Sequence, residues 1–538
     1  MEKRNCKNCS QPFQITDDDL GFYDKIKVPL PQMCWPCRFA RILVWRNERA
    51  LYKHNCDLCK KEIICMYRPE TKFPIYCRDC WISDKWDPTE FGRDYDPSKP
   101  FFDQMAELQN AVPRPALNET DNINSDYCNF TSHQKNCYLM FGSWFNENCG
   151  YGQTVLESKD CWDCIFVKNC ESCMHSIDCT KCYQTHFSQN CIGCIDSVFL
   201  YDCKNCMNCL FSYNLRNKSY YAFNQPVSKE EYAKIKKDAF APEKFAEFRA
   251  VVREKAIHKY MTGERNQNVS GDFIYNSKNV RQSFYIHDGE NEKYAVRGGK
   301  GQKDSMDVFG VHAGELAYAS INADFSSNCK FIISGENNIN VEYLIDCFGT
   351  ENSFGCISLR KKQYCLLNKQ YSPEEYEKLK CLVIQHMKNN WTYGEFFPMS
   401  MSPFAYNETI AQEYIPVTRN LADQLGYAWY DAPEKNYQIN AENILCQAWA
   451  RDKEVAKEHK CTKAFRITPN ERGMYERFGI PLPTACPNTR FFEKFQMRNP
   501  VKLWMRTCSK CGKDIETSYS PDRPETVYCE SCYNVEIL

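Results

Sequence analysis

The chain has no long apolar run, almost no net charge and few histidines, and each shortage removes a class of function. No uninterrupted apolar stretch approaches the roughly 20 residues a bilayer requires, and the opening MEKRNCKNCS carries no apolar signal core. The expectation is a soluble, cytoplasmic protein with no membrane partner. Its 68 basic residues nearly cancel 69 acidic ones, leaving a formal charge of -1. No global field therefore draws nucleic acid or an anionic surface, and any such binding has to be local. Nine histidines are scattered along the 538 residues and assemble no nucleophile, base and orienter. The expectation is a non-enzymatic protein, with no catalytic residue and no organic cofactor.

What the chain has in quantity is cysteine, 35 residues of it. With no export signal and with CxxC spacing, reduced thiols and metal are expected in place of disulfides. At 538 residues the chain is long enough for three or four domains with their own cores.

Residues 6–80 recur at 458–532 with a constant offset of 452 positions and no insertion or deletion. Cys9 and Cys461, Cys34 and Cys486, Cys56 and Cys508, Cys59 and Cys511, Cys77 and Cys529, and Cys80 and Cys532 are partners, as are Phe13 and Phe465, Tyr23 and Tyr475, and Arg38 and Arg490. Cys56, Cys59, Cys77 and Cys80 form one CxxC-x17-CxxC set, and Cys508, Cys511, Cys529 and Cys532 another. Two such turns present four thiolates to one tetrahedral ion and leave it no open position. Cys6, Cys9, Cys34 and Cys37 make a third set with a longer gap. Three structural Zn2+ ions are expected, supplying folding energy that so small a core cannot. The second copy of the long-gap site is damaged, with Glu458 in place of Cys6 and Thr489 in place of Cys37. Either His459 or Cys446 completes it, or the domain keeps its fold without metal through Phe465, Tyr475 and Pro481. Cys65, whose partner is Thr517, is not expected to be a ligand.

CKNCSQPFQITDDDLGFYDKIKVPLPQMCWPCR, residues 6–38, resembles the zinc-ribbon family with a treble-clef-like pattern, with Pro36 one place later than usual. CSKCGKDIETSYSPDRPETVYCESCY, residues 508–533, resembles the family named for its CxxC-x17-CxxC pattern, and residues 56–81 match it with Lys60 for the usual Gly. As a whole the chain is similar to uncharacterised bacterial multi-zinc-ribbon proteins. The resemblance covers both ends and implies zinc binding with no particular activity.

In the middle, cysteine follows Asn or Asp at Cys137, Cys149, Cys161, Cys170, Cys179, Cys191 and Cys203, in steps of 12, 12, 9, 9, 12 and 12 residues. Two steps per turn predict coils of 18 to 24 residues in a parallel β-solenoid, with Asn and Asp at corners and small Cys side chains inside. A second half follows at an offset of 144, where Cys161 and Cys164 become Ser305 and Val308. That favours Cys as a small buried residue over an obligatory metal chain, and CWDC, 161–164, lacks the setting of a redox motif. Ser228 with Glu231 and Ser372 with Glu375 read as capping boxes opening a helix after each half, the first running with a break near Pro242 to about 260.

The expected fold class is mainly β with helical connectors, zinc modules at both termini flanking a duplicated solenoid. The expected boundaries are 1–95 for the N-terminal modules, 96–124 a linker, 125–225 the first half, 226–265 a helical connector, 266–371 the second half, 372–445 a helix and irregular segment, and 446–538 the C-terminal modules. The function expected is a zinc-binding scaffold or adaptor that docks a macromolecular partner through its terminal modules. In one version the partner is RNA or a ribonucleoprotein, met by Arg38, Arg41, Arg46, Arg49 and Lys53 beside Trp35 and Trp45, and by Arg490, Lys494, Arg498, Lys502 and Arg506 beside Phe491, Phe492 and Trp504. The blander reading puts the arginines on a solvated face and the aromatics in a core. Two alternatives remain open: a β-helix carbohydrate-active enzyme using Asp160, Asp163 and Asp178, and metal storage or redox sensing by the cysteine ladder. The sequence is silent on oligomeric state.

Overall fold

The computed structural model describes residues 2–299, 301–310, 314–324, 330–433, 443–447, 449–451, 458–461 and 463–538. No helix among them is long and apolar enough to cross a membrane.

Between Glu119 and Ala222 the chain winds as a parallel β-solenoid. Asn129 lies beside Phe141, Phe141 beside Gln153, Gln153 beside Ile165, Ile195 beside Met207 and Met207 beside Ser219. Each coil is thus 12 residues, which corrects the 18 to 24 expected from the cysteine rhythm. The cause is a corner at every third residue: Asn136, Leu139, Gly142, Phe145, Asn148, Tyr151 and Thr154 all have left-handed backbones, with φ of 51° to 56°. Four three-residue sides close one coil, so steps of 9 and 12 both fall on corners.

A left-handed residue other than glycine costs roughly 1–2 kcal/mol, and this solenoid offsets the cost by stacking like on like. On one corner Asn124 donates to Asn136, Asn136 to Asn148 and Asn148 to Asp160, at 2.8, 3.2 and 3.0 Å. On another, Phe187, Phe199, Phe211 and Phe223 stack with ring centroids 5.1, 4.9 and 5.1 Å apart. Phe245 and Phe248 of the helix Pro242–Lys255 pack onto this aromatic column. Ser228 caps the preceding helix, Lys229–Lys237, by accepting the Glu231 amide, and of the two expected boxes the one at Ser372 is reciprocal.

The residue after each corner is buried in the solenoid interior: Cys161, Cys164, Val167, Cys170, Cys173, Ser176, Cys179 and Cys182 are all at most 2 % exposed. Small side chains predominate there, with Met140 and Leu200 filling the same interior at other coils. Cys161 donates its thiol to the carbonyls of Lys159 and Cys170 at 3.3 and 3.5 Å, and Thr185 donates its hydroxyl to Tyr183 and Cys194 in the same pattern. Ser305, the counterpart of Cys161, donates to Lys303 at 2.9 Å. Cys, Ser and Thr are therefore interchangeable donors to the same carbonyls. The second half repeats the architecture, with Gly271 beside Ser283, Ile321 beside Ile333 and Ile339 beside Glu351.

The chain condenses into two compact units. The first joins 1–116 with 261–430 and 501–503, and the second joins 117–260 with 431–500 and 504–538. Each unit thus holds one solenoid half and most of the modules from the opposite end of the sequence. In the first unit the helix Phe101–Gln109, inside the stretch expected to be a linker, packs Phe101 and Phe102 on Tyr343 and Phe354. Phe397 of the irregular segment packs on Trp45, Phe102 and Tyr343, and Phe404 stacks on Tyr67. That segment fills the space between module and solenoid, a role no motif disclosed.

Candidate metal centres

Each terminal module is a short hairpin whose turn carries two cysteines, followed by a helix whose N-cap is the third. Glu2–Asn5 pairs with Pro12–Ile15, Tyr52–Asn55 with Glu62–Cys65, and Trp504–Thr507 with Asp514–Thr517. Cys34, Cys77 and Cys529 cap the helices Trp35–Leu43, Arg78–Ile82 and Glu530–Ile537, so Cys37, Cys80 and Cys532 fall in the first turn. The N-cap amides of Cys77 and Cys529 donate to the hairpin sulfurs of Cys56 and Cys508 at 3.3 and 3.2 Å, which favours thiolate there.

Within each of the groups Cys6, Cys9, Cys34, Cys37; Cys56, Cys59, Cys77, Cys80; and Cys508, Cys511, Cys529, Cys532 all sulfurs lie within 4.8 Å of one another. The pairs Cys9–Cys34, Cys59–Cys77 and Cys511–Cys529 are 3.7, 3.9 and 3.8 Å apart. Four sulfurs at 2.3 Å from a tetrahedral zinc would be about 3.8 Å apart, so these residues fit the ion. Burial alone would raise the Cys6, Cys56 and Cys508 thiols, but backbone amides outweigh it and bring them down to about 7, 7 and 6. Cys65 stands apart from its cluster and donates to the Tyr67 carbonyl at 3.0 Å.

A fourth group contains Cys446, Cys461 and Cys486. Cys446 does what Cys6, Cys56 and Cys508 do. In the closed sites the first cysteine's amide bonds the Gln11, Lys61 or Lys513 carbonyl, and the Cys446 amide bonds the carbonyl of Lys463, the counterpart of Gln11, at 2.9 Å. Its sulfur accepts the Cys486 amide at 3.2 Å, as Cys56 accepts that of Cys77 and Cys508 that of Cys529. Asn443–Leu445 pairs with Ala464–Arg466 as the first hairpin of the chain does. Glu458 is therefore not the structural equivalent of Cys6, and the copies differ by an insertion of twelve residues between Cys446 and Cys461, which corrects the uninterrupted match. The side chain of His459 lies outside the described residues.

No protein-family model matches the chain, and no curated protein does. The metal reading rests on the cysteine geometry.

Several of the basic residues expected to meet nucleic acid are engaged within the protein. Arg38 is buried and holds Asp307 through two bonds of 2.6 and 2.9 Å, with Tyr23 on the same carboxylate at 3.4 Å. In the other unit Arg490 meets Asp163 at 3.0 Å and Glu471 at 3.0 Å, with Tyr475 on Asp163 at 3.4 Å. Arg38 and Arg490, Tyr23 and Tyr475, and Asp307 and Asp163 are partners under the two sequence offsets, so one dock is built twice. Lys494 also faces Asp163, at 3.4 Å, and Arg498 pairs with Asp178 at 3.2 Å over the Phe166 ring. Arg46 pairs with the buried Glu48, and Arg41 holds Glu395 and the Phe397 carbonyl. Arg49 is half-buried, and Arg506 donates to the carbonyls of Ser520 and Glu525. Trp35 stacks between Phe39 and Tyr294. Arg38, Arg490, Lys494 and Arg498 are thus used on solenoid carboxylates, whereas Lys53, paired with Glu62, and Lys502 stay exposed.

The same contacts occupy the carboxylates of the enzyme alternative. Asp163 and Asp178 are tied to the module cations, and Asp160 accepts Asn148 in the corner ladder. Burial opposes ionisation of Asp163, but Arg490 and Lys494 hold its carboxyl down at about 2. Asp307 faces a single guanidinium with Asp19 nearby, and there burial wins and raises it. In the ladder, burial pushes the Cys149, Cys161 and Cys191 thiols well up, whereas hydrogen bonds from neighbouring thiols draw Cys170 and Cys179 down.

Proposed function

We propose that this protein is a non-enzymatic zinc-binding scaffold in which treble-clef-like and zinc-ribbon modules are anchored to a solenoid and present a surface to a macromolecular partner. The observation that carries it is the repeated dock. The arginine that follows the last ligand of the long-gap site, Arg38, is buried on a solenoid aspartate, and Arg490 repeats this. Metal holds the module, and the module's cations hold the solenoid. Closed four-thiolate sites supply folding energy and no reactive position, which favours architecture over turnover.

The reading predicts zinc in the purified full-length protein and a partner that binds only while zinc is present. Binding to mixed cellular RNA, measured at low and physiological salt before and after chelation, tests the ribonucleoprotein version. Saturable binding with a steep salt slope that is lost with zinc supports it. A zinc-free protein that stays fully folded would overturn the scaffold reading itself.

A further inference from the structure

We infer that Cys446, Cys461 and Cys486 form a three-thiolate metal site whose fourth coordination position is open to an external ligand. All three cysteines are buried, and their sulfurs lie within 4.8 Å of one another. Cys446 occupies the corner of Cys6, and Cys461 and Cys486 those of Cys9 and Cys34. The corner of Cys37 belongs to Thr489, whose hydroxyl oxygen lies 3.3 Å from the Cys486 sulfur and 4.0 Å from that of Cys446. Among the described side chains the site is thus assembled like the closed ones up to its last ligand.

A neutral alcohol is a poor ligand for a thiophilic d10 ion, and three protein donors plus an exchangeable position is the pattern of zinc sites that take on ligands. Three thiolates on a divalent ion leave a net charge of -1, less to stabilise in the apolar wall of Phe465 and Ile467 than a four-thiolate site carries. Thr489 is only half-buried, so a donor from outside can reach that corner. The ligand class is a soft or borderline donor, a small thiolate or an imidazole, with the threonine hydroxyl beside it as a hydrogen-bond partner. The ion bound is Zn2+ or another thiophilic d10 cation.

The test uses the full-length protein loaded with Co2+ in place of zinc. Wild type should bind one ion more than Cys446→Ser, and titration with 2-mercaptoethanol should shift the visible bands of one cobalt per chain. Thr489→Cys should keep the ion and abolish the shift, because the fourth corner is then filled from within. Equal cobalt content in wild type and Cys446→Ser would overturn the site. Cobalt in the site with no response to thiol in wild type would overturn the open position and assign the corner to another side chain. If Cys446→Ser fails to fold, wild type against Thr489→Cys decides the question alone. None of these readouts depends on a macromolecular partner, so the scaffold reading and this one can fail separately.

Discussion

For single side chains, the sharpest contrast is between two buried polar groups with opposite tolerance to change. Cys161 sits in the interior with its thiol directed at two carbonyls, a task Ser176 performs with its hydroxyl in the same half, and Ser305 keeps the first of those bonds in the second half. Cys161→Ser should therefore change unfolding free energy by less than about 1 kcal/mol, measured in denaturant at neutral pH. Asp163 anchors Arg490 and Lys494, and Asp163→Asn leaves two buried cations short of their counter-charge. A loss of roughly 3–5 kcal/mol is expected, visible as a lower melting temperature. The pH dependence follows from the same group. Its carboxyl titrates near 2 in the folded chain against about 3.9 unfolded, so its contribution is fully present above pH 4 and fades as pH falls toward 2. The stability gap between wild type and Asp163→Asn should narrow over that window. The Asn and Asp corners were legible in the sequence because these residues tolerate left-handed backbone. The corners at Leu139, Phe145 and Tyr151 were not, because bulky residues reach that conformation only when coils above and below hold them.

Among elements, the cysteine clusters of the terminal modules were the most readable part of the chain. Ligand spacing is set by local geometry, a hairpin turn and a helix start, and needs no distant contact to be recognised. Cys56→Ser and Cys508→Ser should each leave one zinc per chain more easily stripped by a chelator than in wild type, because three thiolates no longer close either site. The degenerate module was less readable for a physical reason. Cys461, Cys486, Phe465 and Tyr475 keep a constant offset from the first copy, so the match hides the fact that Cys446 arrives from upstream of an inserted hairpin. Strand pairing, Ile444 beside Phe465, and the bonds of Cys446 to Lys463 and Cys486 show which cysteine fills the first corner. The coil length was misread in a similar way, since cysteines mark only some of the interior positions and the true period of three is carried by backbone.

Over the full chain, the two sequence duplications combine into a repeated dock that neither predicts alone. Arg490 and Arg498, read by composition as a phosphate-binding row, are spent on Asp163 and Asp178. Arg498→Gln should lower the melting temperature while leaving the salt dependence of any RNA binding unchanged. A salt slope reduced by about one unit, the signature of a lost phosphate contact, would restore that arginine to the interface.

The sequence by itself determined what depends on neighbours along the chain: the metal-ligand clusters, the helix caps, and a repeating β architecture with cysteine inside. Tertiary structure alone decided the three-residue sides of the coil, the partner of each buried arginine, and the pairing of each solenoid half with modules from the far end. The coil rests on backbone pairing between residues 12 positions apart, and the docks of Arg38, Arg490 and Arg498 on contacts hundreds of positions apart, where charge and shape select one partner among many that composition allows.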